Sequence, residues 1–97
     1  MLENAIAKKS ERRRAKRLPL DLHTRLRHNG LVHGDLTIKD LSFTGLKGET
    51  HVALQRGDLI SVALPNIGLV RATVQWCKGR LLAAQFQRAV DIRACFR

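Results

Sequence analysis

From Leu18 the chain alternates apolar and polar positions. Leu18, Leu20, Leu22 and Leu26 fall on one side of an extended segment, and Pro19, Asp21, His23, Arg25 and Arg27 on the other. A period of two marks a strand with one face in a core. After His28-Asn29-Gly30 the alternation resumes, with Val32, Leu36 and Ile38 against His33, Asp35, Thr37 and Lys39. Asn-Gly invites a two-residue hairpin, but that loop sets Leu26 opposite His33, and directly opposed residues share a face. A three-residue loop, His28-Asn29-Gly30 with Gly30 left-handed, restores the parity. It predicts Leu26 opposite Val32, Leu22 opposite Leu36 and Leu20 opposite Ile38.

Downstream the pattern repeats. Gly57-Asp58 opens Ile60, Val62 and Leu64, residues 65–68 turn the chain, and Val70, Ala72, Val74 and Trp76 alternate with Arg71, Thr73 and Gln75. The same parity favours a loop at Asn66-Ile67-Gly68 with Leu64 opposite Val70. Lys78-Gly79-Arg80 then turns into Leu82, Ala84 and Phe86. Turn signals this regular, with no helical period between them, predict an all-β meander closed into a small antiparallel barrel. Val90, Asp91, Ile92, Ala94, Cys95 and Phe96 predict a short helix over one barrel end.

A chain of 97 residues buries roughly 60 to 68% of its unfolded surface, enough for one core and too little for two. Eighteen Lys and Arg against eight Asp and Glu give a net charge of +10, which points to an anionic partner. Half of that charge lies in residues 1–17, where Lys8, Lys9, Arg12, Arg13, Arg14, Lys16 and Arg17 meet only Glu3 and Glu11. Like charges at this density repel, and Ala5-Ile6-Ala7 offers no anchor, so residues 1–17 are expected to be a flexible basic tail and residues 18–97 the folded domain. No apolar run approaches the ~18 residues of a membrane span, and Leu18-Pro19-Leu20-Asp21 is no secretory h-region, so the expected compartment is the cytoplasm. Cys77 and Cys95 make no disulfide framework, and His23, His28, His33 and His51 match no zinc spacing. Both thiols are expected to be reduced and structural, and no cofactor is expected.

The charged tail and the exit of the second strand together carry a pattern. Arg13-x-x-x-Arg17 stands directly before the first strand, and Asp40-Leu41-Ser42-Phe43-Thr44-Gly45 follows the second. Arg-x-x-x-Arg followed by Asp-x-Ser-x-x-Gly in a small β-barrel resembles the PilZ family of bacterial cyclic di-GMP receptors. The likeness runs from about Arg12 to Phe86 and takes in Gly45-Leu46-Lys47, Gly57, Val74-x-Trp76 and the closing Phe86. One departure is Ala83, where family members often have Gly; it is expected to bear on barrel packing, away from the motif residues. The resemblance implies a six-stranded split barrel and a cyclic di-GMP site built from Arg13, Arg17, Asp40, Ser42 and Gly45. It also implies that Arg12, preceding the first motif arginine, favours a stacked pair of ligands over a single one.

Elementary chemistry is consistent with that assignment. A planar guanidinium makes forked hydrogen bonds to phosphate oxygens or to guanine O6 and N7, which lysine cannot do. Asp40 can accept from guanine N1–H and N2–H, Ser42 can bond a phosphate or a base edge, and Gly45 permits close backbone approach. The plainer reading of Asp40 and Ser42 is that they satisfy turn backbone groups, of Gly45 that it is only a turn glycine, and of the arginines that they are solvated charges. Trp76, on the inward parity beside Val74, is expected in the core rather than against a base.

The main rival is a basic RNA- or DNA-binding barrel. Such barrels stack bases on exposed aromatics; here Trp76 and Phe86 have inward parity, Phe96 is terminal and only Phe43 is expected to be exposed, which disfavours nucleic acid. A barrel that has lost its ligand and serves only as an adaptor is opposed by the intact motifs. An enzyme is disfavoured because no base stands with a nucleophile and no Gly-rich phosphate loop opens a helix. A single receptor domain must pass its signal to a downstream protein, which the sequence does not identify.

Overall fold

The computed structural model describes residues 18–28 and 32–96. The basic segment 1–17, with Arg12, Arg13 and Arg17, and the loop position Gly30 lie outside the described residues. Six strands form, β1 (Leu18–His28), β2 (Val32–Leu41), β3 (Gly45–Thr50), β4 (Leu59–Leu64), β5 (Gly68–Lys78) and β6 (Leu81–Phe86), followed by a 3-10 helix, Ile92–Phe96. They close as a barrel in the order β1-β2-β3-β6-β5-β4, every neighbour antiparallel. The expected all-β barrel is present, but it is not a meander: β3 pairs with β6, and β4 with β1. Alternation alone missed β3 because its inward positions are Leu46, Gly48 and Thr50, only one of them a large hydrophobe.

Both first hairpins have three residues between their strands, each placed one position later or earlier than parity suggested. In β1/β2, His28 pairs with Val32, Leu26 with Gly34, Thr24 with Leu36 and Leu22 with Ile38, a register two residues away from the expected one. Face parity survives the shift. Two contacts favour the observed register. His28 remains in the strand to pair with Ile60 of β4 and to meet Asp58 at 3.3 Å, and Thr24 faces inward with its hydroxyl donating to Ala63 O at 2.5 Å. In β4/β5, Leu64 pairs with Gly68 and Val62 with Val70, so residues 65–67 form the turn instead of 66–68. Asn66 takes the left-handed conformation there (φ 63°), and its side chain donates to Ala94 O, tying the turn to the 3-10 helix. The β5/β6 turn is shorter than expected, two residues, because Lys78 already pairs with Leu81.

Inside, Leu26, Leu36, Ile38, Leu41, Ile60, Val62, Val74 and Leu82 are almost completely buried. The 3-10 helix closes one end: a three-residue turn stacks positions i and i+3, so Ile92 and Cys95 point together into the core. Burial pushes the Cys95 thiol pKa above its usual value. Residues 51–58, the crossover from β3 to β4, close the other end with Val52 and Leu54, anchored by the Cys77 thiol donating to Leu54 O at 3.0 Å.

Gly34 shows how tightly that plug fits. It is the residue opposite Leu26, and a Cβ there would run into Val52 Cγ2. Valine is stiff about χ1, so the overlap cannot be relieved by a rotamer change. Gly34→Ala should therefore cost about 1–3 kcal/mol, a fall in Tm of several degrees for a domain of this size. In a Val52→Ala background the cost should largely vanish; thermal melts of the four proteins check this, and an undiminished penalty would place the strain elsewhere.

Candidate functional site

A strand buries alternate side chains, so Asp40, two residues after the fully buried Ile38, ought to point into the core. It does not, because the β2/β3 ladder shifts there: Ile38 pairs with Gly48 and Asp40 with Lys47, which leaves Lys39 as an extra residue. Leu41 takes the next core position, fully buried, and Asp40 turns outward, half-buried. β1 is irregular opposite the same point, between Pro19 and Leu22. Lys39 Nζ donates to Asp21 Oδ1 at 2.6 Å across the two irregularities, and that bond holds the Asp21 carboxyl below its usual pKa and the Lys39 ammonium above it. Among the described residues the Asp40 carboxylate has no hydrogen-bond or ion-pair partner.

Beyond Asp40 the chain turns sharply into β3. Ser42 N–H donates to Gly45 O at 2.9 Å, and Ser42 Oγ accepts from the N–H groups of Thr44 and Gly45, both at 3.2 Å. The hydroxyl itself lies within bonding distance of Gly45 O and Thr44 Oγ1. Ser42, 5% exposed, is thus engaged by its own turn, the corner at which Asp40 stands. Gly45 follows from packing: a Cβ would strike the Ala84 carbonyl of β6, backbone that cannot swing aside. The glycine lets β3 and β6 close together at the corner.

A second ladder shift changes the expected site. β5 pairs Val74 with Ala84 and then Trp76 with Ala83, leaving Gln75 as an extra residue. Val74 and the part-buried Cys77 keep the inward positions, and Trp76 is displaced outward, 43% exposed. The expectation of a core tryptophan is therefore wrong; simple alternation fails at a bulge. Lys47, Ala83 and Trp76 instead form one outward row across β3, β6 and β5. The small Ala83 lies between a cation and an indole, making the floor of a concavity of about 270 Å³ also lined by Asp40, Ser42, Gly45 and Gln75. Ala83, expected to lie away from the motif residues, borders them. Phe43, expected to be exposed, is partly buried against the core.

The first strand begins at this corner, with Leu18 opposite Leu41 and Pro19 opposite Asp40. Of the site residues named from sequence, the structure brings Asp40, Ser42 and Gly45 together around one concavity, while Arg12, Arg13 and Arg17 lie outside the described residues. Trp76, Lys47 and Gln75 were not named as site residues; only the Val74-x-Trp76 and Gly45-Leu46-Lys47 similarities hinted at the first two.

A family model for the PilZ domain matches residues 11–95, and the chain belongs to that family of cyclic di-GMP receptors. PilZ domains are ligand-binding domains. A search of curated proteins found no match. Among the described residues no helix is long and apolar enough to cross a membrane, and no cluster of His, Cys, Asp or Glu is placed to hold a metal ion.

Because Ser42 Oγ satisfies two backbone N–H groups in a part-buried turn, Ser42→Ala should destabilise the ligand-free protein by about 1–2 kcal/mol. Asp40→Ala should leave ligand-free stability nearly unchanged. Urea unfolding of both variants separates the turn role from the ligand role.

Proposed function

We propose that this chain is a cyclic di-GMP receptor in which Arg13 and Arg17 close over the Asp40 corner onto the ligand. The observation that carries the reading is the pairing of Pro19 with Asp40, which puts the start of the first strand beside a residue that lines the Trp76 concavity. Asp40 supplies a carboxylate, without a partner among the described residues, for the guanine N1–H and N2–H edge, and the arginines supply forks for phosphate or guanine O6 and N7. The exposed face of Trp76 offers a surface for a base, and Lys47 adds a point charge toward phosphate. Arg12 belongs to the site if a stacked pair is held. On this reading the domain uses no cofactor, acts in the cytoplasm, and signals by ligand-induced ordering of residues 8–17, which a downstream protein reads.

The exposure of Trp76 also removes one argument against a single-stranded nucleic acid, since base stacking needs such a ring. One isolated aromatic beside a carboxylate makes a poor platform for a polyanion, so the dinucleotide reading is preferred and RNA becomes an arm of the test.

Trp76 is the chain's only tryptophan, so its fluorescence reports on this site alone. Cyclic di-GMP should change that emission, and titration calorimetry should give saturable binding with a stoichiometry near two that Arg12→Leu lowers toward one. Arg13→Ala or Arg17→Ala should each cost about 1.5–3 kcal/mol of binding without lowering the Tm of the free protein. Arg93→Ala should be silent, since Arg93 is occupied with Asp91 at 2.8 Å. A hundredfold excess of ligand over Kd should stabilise the fold by about 2.7 kcal/mol. A single-stranded RNA oligomer should instead bind with log K falling by about 0.7 per phosphate neutralised for each decade of salt. Equal stabilisation by cyclic di-GMP, GTP and RNA, or binding that survives Asp40→Ala and Arg17→Ala, would overturn the assignment.

A further inference from the structure

A second charged surface lies on β1, β4 and β5, away from the Trp76 concavity. Arg27 pairs with Ser61, and Ser61 with Arg71, so two exposed arginines flank a small residue in one outward row. Strands about 4.8 Å apart put the two arginine backbones about 10 Å from each other, and Arg25 stands about 7 Å from Arg27 along β1. Among the described residues none of the three arginines has an ion-pair partner; Asp35, opposite Arg25 on β2, is the nearest carboxylate in the ladder and does not pair with it.

Two large hydrophobes share the face. Leu59 and Leu69 are 49% and 61% exposed, and lie to either side of Ser61 and Arg71 along β4 and β5. The outward positions Arg27, Leu59, Ser61, Leu69 and Arg71 include no carboxylate; Asp35 borders the patch at its Arg25 edge. Arginines alone are what a solvated surface carries, but leucines left in water at both ends of an arginine triangle are the composition of an interface: arginine anchors with apolar contacts beside them.

We propose that this face docks an acidic amphipathic helix of a partner protein. Carboxylates four residues apart on a helix stand about 6 Å apart along its axis, close to the Arg25 to Arg27 spacing along β1, while Arg71 lies across the strands about 10 Å to the side, within reach of a carboxylate on the helix flank, and the apolar positions of the helix meet Leu59 and Leu69. Arginine forks recognise carboxylates bidentately, which gives the contact direction as well as charge. A single-stranded nucleic acid fits less well because the face carries no aromatic ring, and a lipid surface fits less well because arginines separate the two leucines. The proposal concerns output and does not depend on how the cyclic dinucleotide is held.

The probe is a synthetic helical peptide of about 18 residues, a length at which an isolated helix can form, with Glu and Leu on one face. It is compared with a scrambled peptide of the same composition, an RNA oligomer, and vesicles of phosphatidylglycerol and phosphatidylcholine. Amide shifts of the full chain should move on β1, β4 and β5 with the helical peptide, and the Arg27→Glu, Arg71→Glu variant should bind it at least tenfold more weakly. Titration of the same variant with cyclic di-GMP should be unchanged, so failure of this face and failure of the ligand site are read separately. If charge reversal disturbs the fold, Arg27→Gln, Arg71→Gln replaces it and should weaken binding in the same direction. Shifts elsewhere, no binding, affinity unmoved by the substitutions, equal binding of the scrambled peptide, or tighter binding of RNA or vesicles at this face would each overturn the proposal.

Discussion

One extra residue in β2 governs the site. A strand that feeds Leu36, Ile38 and Leu41 into a core has no room, in regular alternation, for an outward Asp40; the shift at Lys39 makes room for it. The Lys39 to Asp21 bond spans that shift and the matching irregularity of β1, so the same local distortion aims a carboxylate outward and sets where the first strand joins the barrel. The bulge at Gln75 does the corresponding thing on β5, turning Trp76 to the outside. The barrel thus concentrates its departures from regularity around the Asp40 and Trp76 concavity, and leaves the rest of the ladder to packing.

Much of the architecture was legible because burial of one face demands alternation. The strands read from leucine and valine patterns all exist, and the barrel and the closing turn of helix follow. What alternation could not supply was register and order. Leu26 faces Gly34 because Val52, distant in sequence, fills the space a side chain would need, and nothing local to the hairpin announces it. β3 escaped notice because glycine and threonine serve as its inward residues. Trp76 was misjudged because a bulge reverses parity without a mark in composition: Gln75 resembles any polar strand residue.

Within the motif the residues divide by task. Asp40 is presented without a partner among the described residues, Ser42 is engaged by the turn that presents it, and Gly45 is demanded by the Ala84 carbonyl. A spacing pattern read from sequence joins these three as equals, whereas the structure separates one outward-facing group from two that build its mount. Ala83 belongs to the same set, since its small side chain keeps the floor low between Lys47 and Trp76.

The strand order carries a consequence for how the chain assembles. The pairs β1/β2, β2/β3, β4/β5 and β5/β6 join neighbours in sequence, whereas two seams, β1 with β4 and β3 with β6, join strands far apart in the chain, and the second meets only after the crossover and two further strands have been placed. Closing so long a loop is entropically slow compared with zipping a hairpin. The seam between Gly45–Thr50 and Leu81–Phe86 is therefore expected to be a late event, and it is the seam that unites Asp40, Lys47, Ala83 and Trp76. Chains in which that seam has not yet closed have hairpins but no such corner, so the corner exists only in the finished barrel.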